Sequence, residues 1–231
     1  MTRREDLAAG LAEVTQRISA ACRAAGREPS EVALIAVSKT WPASDVRLLQ
    51  DLGVTRFGEN RDAEARDKAA ALAERPPTWH FVGAVQSSKA ASVARYTDVV
   101  HSLDRTSLLT ALDRGAVAAG RTLDVLLQLS LDGDPARGGA VAADLPGLAD
   151  AVEAAQGLRL KGVMAVAPRG AEPATAFAEL ARVAALLRAD HPAATELSAG
   201  MSGDLEQAVA HGATLVRVGT ALLGHRTPPL R

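Results

Sequence analysis

Of the 26 basic residues in this 231-residue chain, only Lys39, Lys68, Lys89 and Lys161 are lysine. Lysine alone among the basic side chains can shed its proton and attack a carbonyl, because a guanidinium keeps its charge. Lys39 has the most suggestive setting. It follows the apolar, β-branched run Val32-Ala33-Leu34-Ile35-Ala36-Val37, the pattern of a strand buried on both faces of a parallel sheet. Trp41-Pro42 then opens a helix. A lysine at the C-terminal end of such a strand sits where α/β folds keep their chemistry. Taken alone, it is more simply a solvated lysine closing the strand.

Two further constellations suit an anion. Ser198-Ala199-Gly200-Met201-Ser202-Gly203 and Gly219-Thr220 each lead into a short helix. Glycines let backbone N–H groups approach closely, hydroxyls donate, and helix N-termini favour negative charge. Ser202 could instead be an ordinary N-cap, followed by Asp204 and Glu206 in the first turn. It nearly completes the G-x-S-x-G turn of serine hydrolases, but Asp204 holds the second glycine position, which argues against that chemistry. Arg217 lies inside the strand Leu215-Val216-Arg217-Val218, facing either the barrel mouth or the helices, and in either place a buried arginine needs an acceptor. An amine, a phosphate cradle and an inward arginine together suggest pyridoxal 5′-phosphate (PLP): carbonyl on Lys39, phosphate at the last two loops, ring nitrogen near Arg217.

The elements that must position these groups alternate regularly. Leu7, Leu11, Val14, Ile18 and Cys22 share one face of a first helix that Gly26 ends. Strands are expected at about 32–39, 55–60, 78–83, 98–103, 123–131, 158–167, 195–198 and 214–219. Helices are expected near 43–52, 61–74, 87–95, 105–120, 140–156, 172–189, 203–211 and 220–223. Eight βα units predict a single (β/α)8 TIM barrel with an extra N-terminal helix: one domain over 1–231, the helix within 1–26 and the barrel over 32–224. The competing doubly wound sheet would show a glycine-rich fingerprint after its first strand, and Ser38-Lys39-Thr40-Trp41 is nothing of the kind. The strand ends then gather Lys39, Gly58-Glu59-Asn60, His80, Gly83, Ser130, Met164, Ser198–Ser202 and Arg217–Thr220 at one rim. Phe57, Trp79 and Phe81 are either core or walls of a planar ligand's pocket. Lys68 reads as part of a polar helical stretch, Lys161 as the start of strand 6, and Lys89 as a rim residue or a solvated helix start. His101, His191, His211 and His225 share no metal-ligand spacing and read as structural or surface residues.

The bulk properties exclude several classes. A net charge of −1 gives no reason to expect nucleic acid or an anionic membrane as partner. No apolar stretch reaches transmembrane length, and the N-terminus lacks a signal peptide's apolar core, so the expectation is a cytoplasmic protein. A single cysteine, Cys22, permits neither an internal disulfide nor a thiolate metal cluster.

Five motifs in order resemble the YggS/PROSC-type pyridoxal phosphate homeostasis proteins: Ala36-Val-Ser-Lys39-Thr, Phe57-Gly-Glu-Asn60, Trp79-His-Phe-Val-Gly83 with Gln86 and Lys89, Leu197-Ser-Ala-Gly-Met-Ser202-Gly-Asp204, and Arg217-Val-Gly-Thr220-Ala-Leu-Leu-Gly224. The resemblance runs from the first helix to Gly224, and departs from the family pattern at Ser88 and Ser130. It implies a barrel like the N-terminal domain of alanine racemase, with the cofactor held as an aldimine on Lys39. It further implies that Asn60 and His80 lie at the cofactor, that Ser198, Met201, Ser202, Gly219 and Thr220 hold its phosphate, and that Arg217 meets the ring nitrogen. A racemase needs a second acid/base on the opposite substrate face. The sole tyrosine, Tyr96, precedes strand 4 and falls at the other end of the barrel, and an arginine at the ring nitrogen weakens the electron sink. The expectation is therefore a monomeric, non-catalytic PLP binder that buffers or delivers the cofactor, with PLP-dependent apo-enzymes as partners. Two alternatives stay open: a racemase-type PLP enzyme using His80 or Lys89 as second base, and a cofactor-free aldolase or lyase working through Lys39.

Overall fold

The computed structural model describes residues 2–134 and 137–224. Eight parallel strands pair in sequence order and close on themselves, β8 returning to β1. They are β1 (Ala33–Val37), β2 (Arg56–Glu59), β3 (Thr78–Phe81), β4 (Val99–Leu103), β5 (Leu123–Gln128), β6 (Leu158–Met164), β7 (Glu196–Ser198) and β8 (Leu215–Val218). The helices are α1 (Arg3–Ala24), α2 (Ala43–Asp51), α3 (Asp62–Ala71), α4 (Ala90–Tyr96), α5 (Thr106–Ala118), α6 (Leu145–Glu153), α7 (Pro173–Asp190), α8 (Leu205–Ala210) and α9 (Thr220–Leu223). The expected TIM barrel with its additional N-terminal helix is what the chain forms.

Several strands stop short of their expected C-terminal ends. Val37, Gln128 and Met164 are the last strand residues, although Ser38, Leu129 and Ala165 each still donate one backbone hydrogen bond to the neighbouring strand. The helix expected from 140 begins at Leu145, after a 3₁₀ turn over Ala142–Asp144 and with Pro146 in its first turn, where a missing N–H costs nothing.

Ile35, Val99, Leu126, Met164 and Leu215 fill the barrel interior, and a larger apolar layer lies between strands and helices. Helix α1 covers the seam where the last strand meets the first. Its Leu7, Val14, Ile18 and Cys22 are buried against Leu205, Val209, Leu222 and Leu223, each such large side chain contributing about 1.5–3 kcal/mol. Arg3 donates to Asp45 at 2.7 Å and to the Leu223 carbonyl at 3.1 Å, and stacks on Trp41 at 4.3 Å. Among the described residues no helix is long and apolar enough to cross a membrane.

Candidate functional site

Lys39 lies in a tight turn rather than in the strand. Trp41 N–H donates to the Ser38 carbonyl at 3.0 Å, and Thr40 takes a φ of 69°, so Lys39 and Thr40 are the two central residues of a turn with a left-handed second position. A β-branched residue there is strained by about 1–3 kcal/mol. The strain puts the Lys39 side chain in solvent at the end of β1, where its ammonium makes no hydrogen bond or ion pair with any described residue.

What holds the strained turn is α3. Lys68, 6 % exposed, donates to the Ser38 carbonyl at 2.7 Å, to Glu59 Oε1 at 2.6 Å and to Glu64 Oε1 at 2.7 Å. Glu64 Oε1 also accepts the Thr40 N–H at 2.5 Å, and Ser38 Oγ donates to Glu59 Oε1 at 2.7 Å. One buried ammonium thus fastens both sides of the Lys39 turn. Burial raises the Glu59 carboxyl above the ordinary glutamate range, with Lys68 pulling it back. Sequence reading placed Lys68 in a polar helical stretch. The signal it carries is the i,i+4 pair Glu64–Lys68, with Ala65 and Lys68 forming the buried side of α3.

Inside the barrel runs a polar line. Arg217, 5 % exposed, points inward and donates from Nη1 to Ser198 Oγ at 2.6 Å and from Nη2 to the Ala165 carbonyl at 3.0 Å. Ser198 Oγ contacts His101 Nδ1 at 2.9 Å, and His101 Nε2 contacts His80 Nδ1 at 2.9 Å. Burial holds both imidazoles neutral: His80 is pushed down to about 3, and His101 well below the ordinary histidine range, with Arg56 and Arg217 as same-direction charges. Desolvation also lowers Arg217 to about 10, opposed by Asp204. Its guanidinium has neutral acceptors and no carboxylate partner among the described residues. Of the two orientations the sequence left open, the inward one is observed. His101 is not a surface residue: it is fully buried, at the middle of a strand whose neighbours are all buried.

The loops after β7 and β8 lie side by side. Gly200 takes φ +86°, and a Cβ there would sit 2.7 Å from the Ala208 side chain, so only glycine lets this loop fold back on α8. Ser202 Oγ accepts the Ala221 N–H at 3.3 Å and ties the two loops together, so it does not cap α8. Asp204 accepts the Met201 N–H at 2.6 Å. From α1, Arg17 reaches the Ser202 carbonyl at 2.9 Å while pairing with Glu206 at 2.7 Å. Met201 and Thr220 are exposed and Gly219 is half-buried. Helices α8 and α9 span only six and four residues, so this region offers loop backbone rather than a long helix end.

The remaining candidates sort cleanly. Asn60 is half-buried at the end of β2, packed so tightly on Gly83 that a Cβ there would lie 2.5 Å from its carbonyl. It lines a rim cavity with Arg61, Arg66, Phe81, Gln86 and Lys89. Tyr96 donates to Asp62 Oδ1 at 3.1 Å in the crevice between α3 and α4, outside the barrel. Its phenol is raised by burial and by the Asp62 charge, so it is no base. His211 Nδ1 meets the Gln207 carbonyl at 2.8 Å, His191 lies 3.4 Å from Asp150, and His225 lies outside the described residues. Among the described residues no cluster suits a metal ion.

The family model described as the N-terminal domain of alanine racemase matches residues 11–227. The pyridoxal phosphate homeostasis protein of Pseudomonas aeruginosa is 44 % identical over 220 residues, covering 95 % of this chain and 96 % of that one. Its counterpart in Escherichia coli K12 is 40 % identical over 228 residues, covering 96 % and 97 %. PipY of Synechococcus elongatus, solved with PLP bound, superposes with a TM-score of 0.83 at 38 % identity, covering 94 % of this chain and all of that one.

Proposed function

The chain belongs to the family of pyridoxal phosphate homeostasis proteins, built on the alanine racemase N-terminal domain, and from that premise we propose that it binds PLP at the barrel mouth and holds it for release. The observation that carries the reading is Arg217, a buried cation without a carboxylate partner among the described residues, on the strand paired directly with that of Lys39. Leaving a charge so placed is costly unless a ligand meets it. The residues present fit this cofactor, which brings an aldehyde, a phosphate and a ring nitrogen.

Each residue then has a part. Lys39 is the covalent anchor, presented in solvent by its strained turn. Arg217 donates toward the ring nitrogen and, being a cation, keeps that nitrogen unprotonated. Met201, Ser202, Gly219 and Thr220 surround the phosphate, and Asn60 borders the ring. Ser198 and His80 act from within the barrel, through Arg217. Water has free access to Lys39, which suits a protein that lends an aldehyde rather than one that shields a reacting carbanion. The homeostasis names of the relatives point the same way, as does the engagement of Tyr96 with Asp62 and of His80 with His101. PLP-dependent apo-enzymes are the proposed recipients. Among the described residues, the large apolar side chains that stand exposed, Val117, Val141, Leu186 and Met201, lie on separate elements, which supports a monomer. A cytoplasmic location follows from the same reading.

Loading with PLP, reduction with borohydride and peptide mass mapping tests the site. A phosphopyridoxyl group on Lys39 is expected. The same group on Lys68, Lys89 or Lys161 refutes the assignment, and a protein that stays colourless with PLP refutes the ligand. Exchange of amino-acid α-protons by the loaded protein would return the racemase reading.

A further inference from the structure

We propose that His101 and His80 are positioning residues for Arg217, forming with Ser198 a neutral relay whose hydrogen bonds all run one way, from the guanidinium toward the barrel interior. The direction follows from counting protons. A guanidinium only donates, so Ser198 Oγ is an acceptor toward Arg217. Ser198 is fully buried, and among the described residues its own hydroxyl proton has one acceptor within hydrogen-bond reach, His101 Nδ1. That nitrogen is then bare, and a neutral His101 carries its proton on Nε2, where it donates to His80 Nδ1. His80 in turn carries its proton on Nε2. This arrangement leaves a single orphan, the buried His80 Nε2, which has no partner among the described residues. The reverse direction leaves two, the Ser198 hydroxyl proton and the His80 Nε2 lone pair. A charged His101 would present donors on both sides and strand the Ser198 proton as well. Buried orphans are costly, so the forward direction holds.

The relay fixes the tip of Arg217 without neutralising it. Ser198 and the Ala165 carbonyl occupy one edge of the guanidinium with uncharged acceptors, so its charge stays available at the mouth. Any carboxylate in place of His101 would cancel that charge. The functional consequence rests on the PLP reading above; the proton arrangement does not.

Two measurements separate them. In the cofactor-free protein, long-range ¹H–¹⁵N spectra should show His80 and His101 both protonated on Nε2 with Nδ1 bare. His211 is the internal control: its Nδ1 faces a carbonyl that can only accept, so it must be protonated there. Nδ1 protonation of either buried histidine, or a charged form of either at neutral pH, overturns the relay. Second, Ser198→Ala and His101→Leu should weaken PLP binding about 10–100-fold, the loss expected for one hydrogen bond to a charged group, and shift the absorbance of the bound chromophore. His101→Gln, whose amide can accept from Ser198, should recover most of it. Unchanged affinity and spectrum in Ser198→Ala sinks the positioning role. If the wild-type protein binds no PLP, the functional reading fails while the tautomers still decide the relay.

Discussion

Replacing Lys68 by methionine should destabilise the cofactor-free protein far more than any other lysine substitution. The ammonium is 6 % exposed and makes three hydrogen bonds, two of them to carboxylates. Methionine fills the volume but leaves Glu59, 1 % exposed, as a buried carboxylate whose one remaining donor among the described residues is Ser38, and removes one of the two ties on the strained Thr40 turn. Breaking a buried pair from one side costs about 3–5 kcal/mol. For a chain of this length that lowers the melting midpoint by roughly 6–20 °C. The loss should depend on pH. Burial already raises the Glu59 carboxyl in the folded protein, and removing Lys68 raises it further. A carboxyl that binds its proton more readily folded than unfolded stabilises the fold at low pH, and that contribution is lost as pH rises through the folded value. Lys68→Met should therefore lose most at neutral pH and recover toward the ordinary glutamate range near pH 4.3. Adding Glu59→Leu removes the stranded charge and should restore much of the loss. Urea titrations of the wild type and the two variants between pH 5 and 8 measure it. A deficit under about 1 kcal/mol at pH 7, or a double variant no more stable than Lys68→Met, would refute the clamp.

Two smaller perturbations probe the loops. Arg17→Ala breaks a largely exposed pair, so stability should change by about 0–1 kcal/mol. Freeing the Ser202 carbonyl should nonetheless weaken PLP binding in a fluorescence titration, by the 0.5–1.5 kcal/mol or so of one hydrogen bond. Gly200→Ala forces a side chain into a left-handed position against Ala208, and denaturant unfolding should show a loss of about 1–3 kcal/mol, with weakened PLP binding.

The alternation of apolar runs with amphipathic stretches was enough to announce eight βα units, because burial on both faces writes strands such as Leu34-Ile35-Ala36 as unbroken apolar runs. Lys39, Arg217 and the two glycine-bearing loops were legible because their residue types are out of place in such surroundings. Lys68 was not. Its partners lie thirty residues back after β1, nine back on β2 and four back on its own helix, and a charged residue on a helix looks the same in sequence whether it faces water or a buried carboxylate. His101 was missed for a related reason. Val99-Val100-His101-Ser102-Leu103 places it on the inner face by alternation, but only closure of the sheet brings Ser198, 97 residues later, against it. Strand ends also failed to resolve, since hydrophobicity persists past the ends of β5 at Gln128 and β6 at Met164.

The seam under α1 has a consequence for how the chain comes to be made. Synthesis delivers α1 and β1 first, yet their partners α8, β8 and α9 emerge last, more than 180 residues later. Until then the Leu7–Cys22 face, though partly covered by α2, lacks Leu205, Val209, Leu222 and Leu223, one edge of β1 is unpaired, and Arg3 lacks the Leu223 carbonyl it will hold. Closure of the barrel therefore waits until β8 has been made. A ribosome paused before Leu215 leaves an apolar helix face only partly covered and two open strand edges, the kind of surface on which chaperones act.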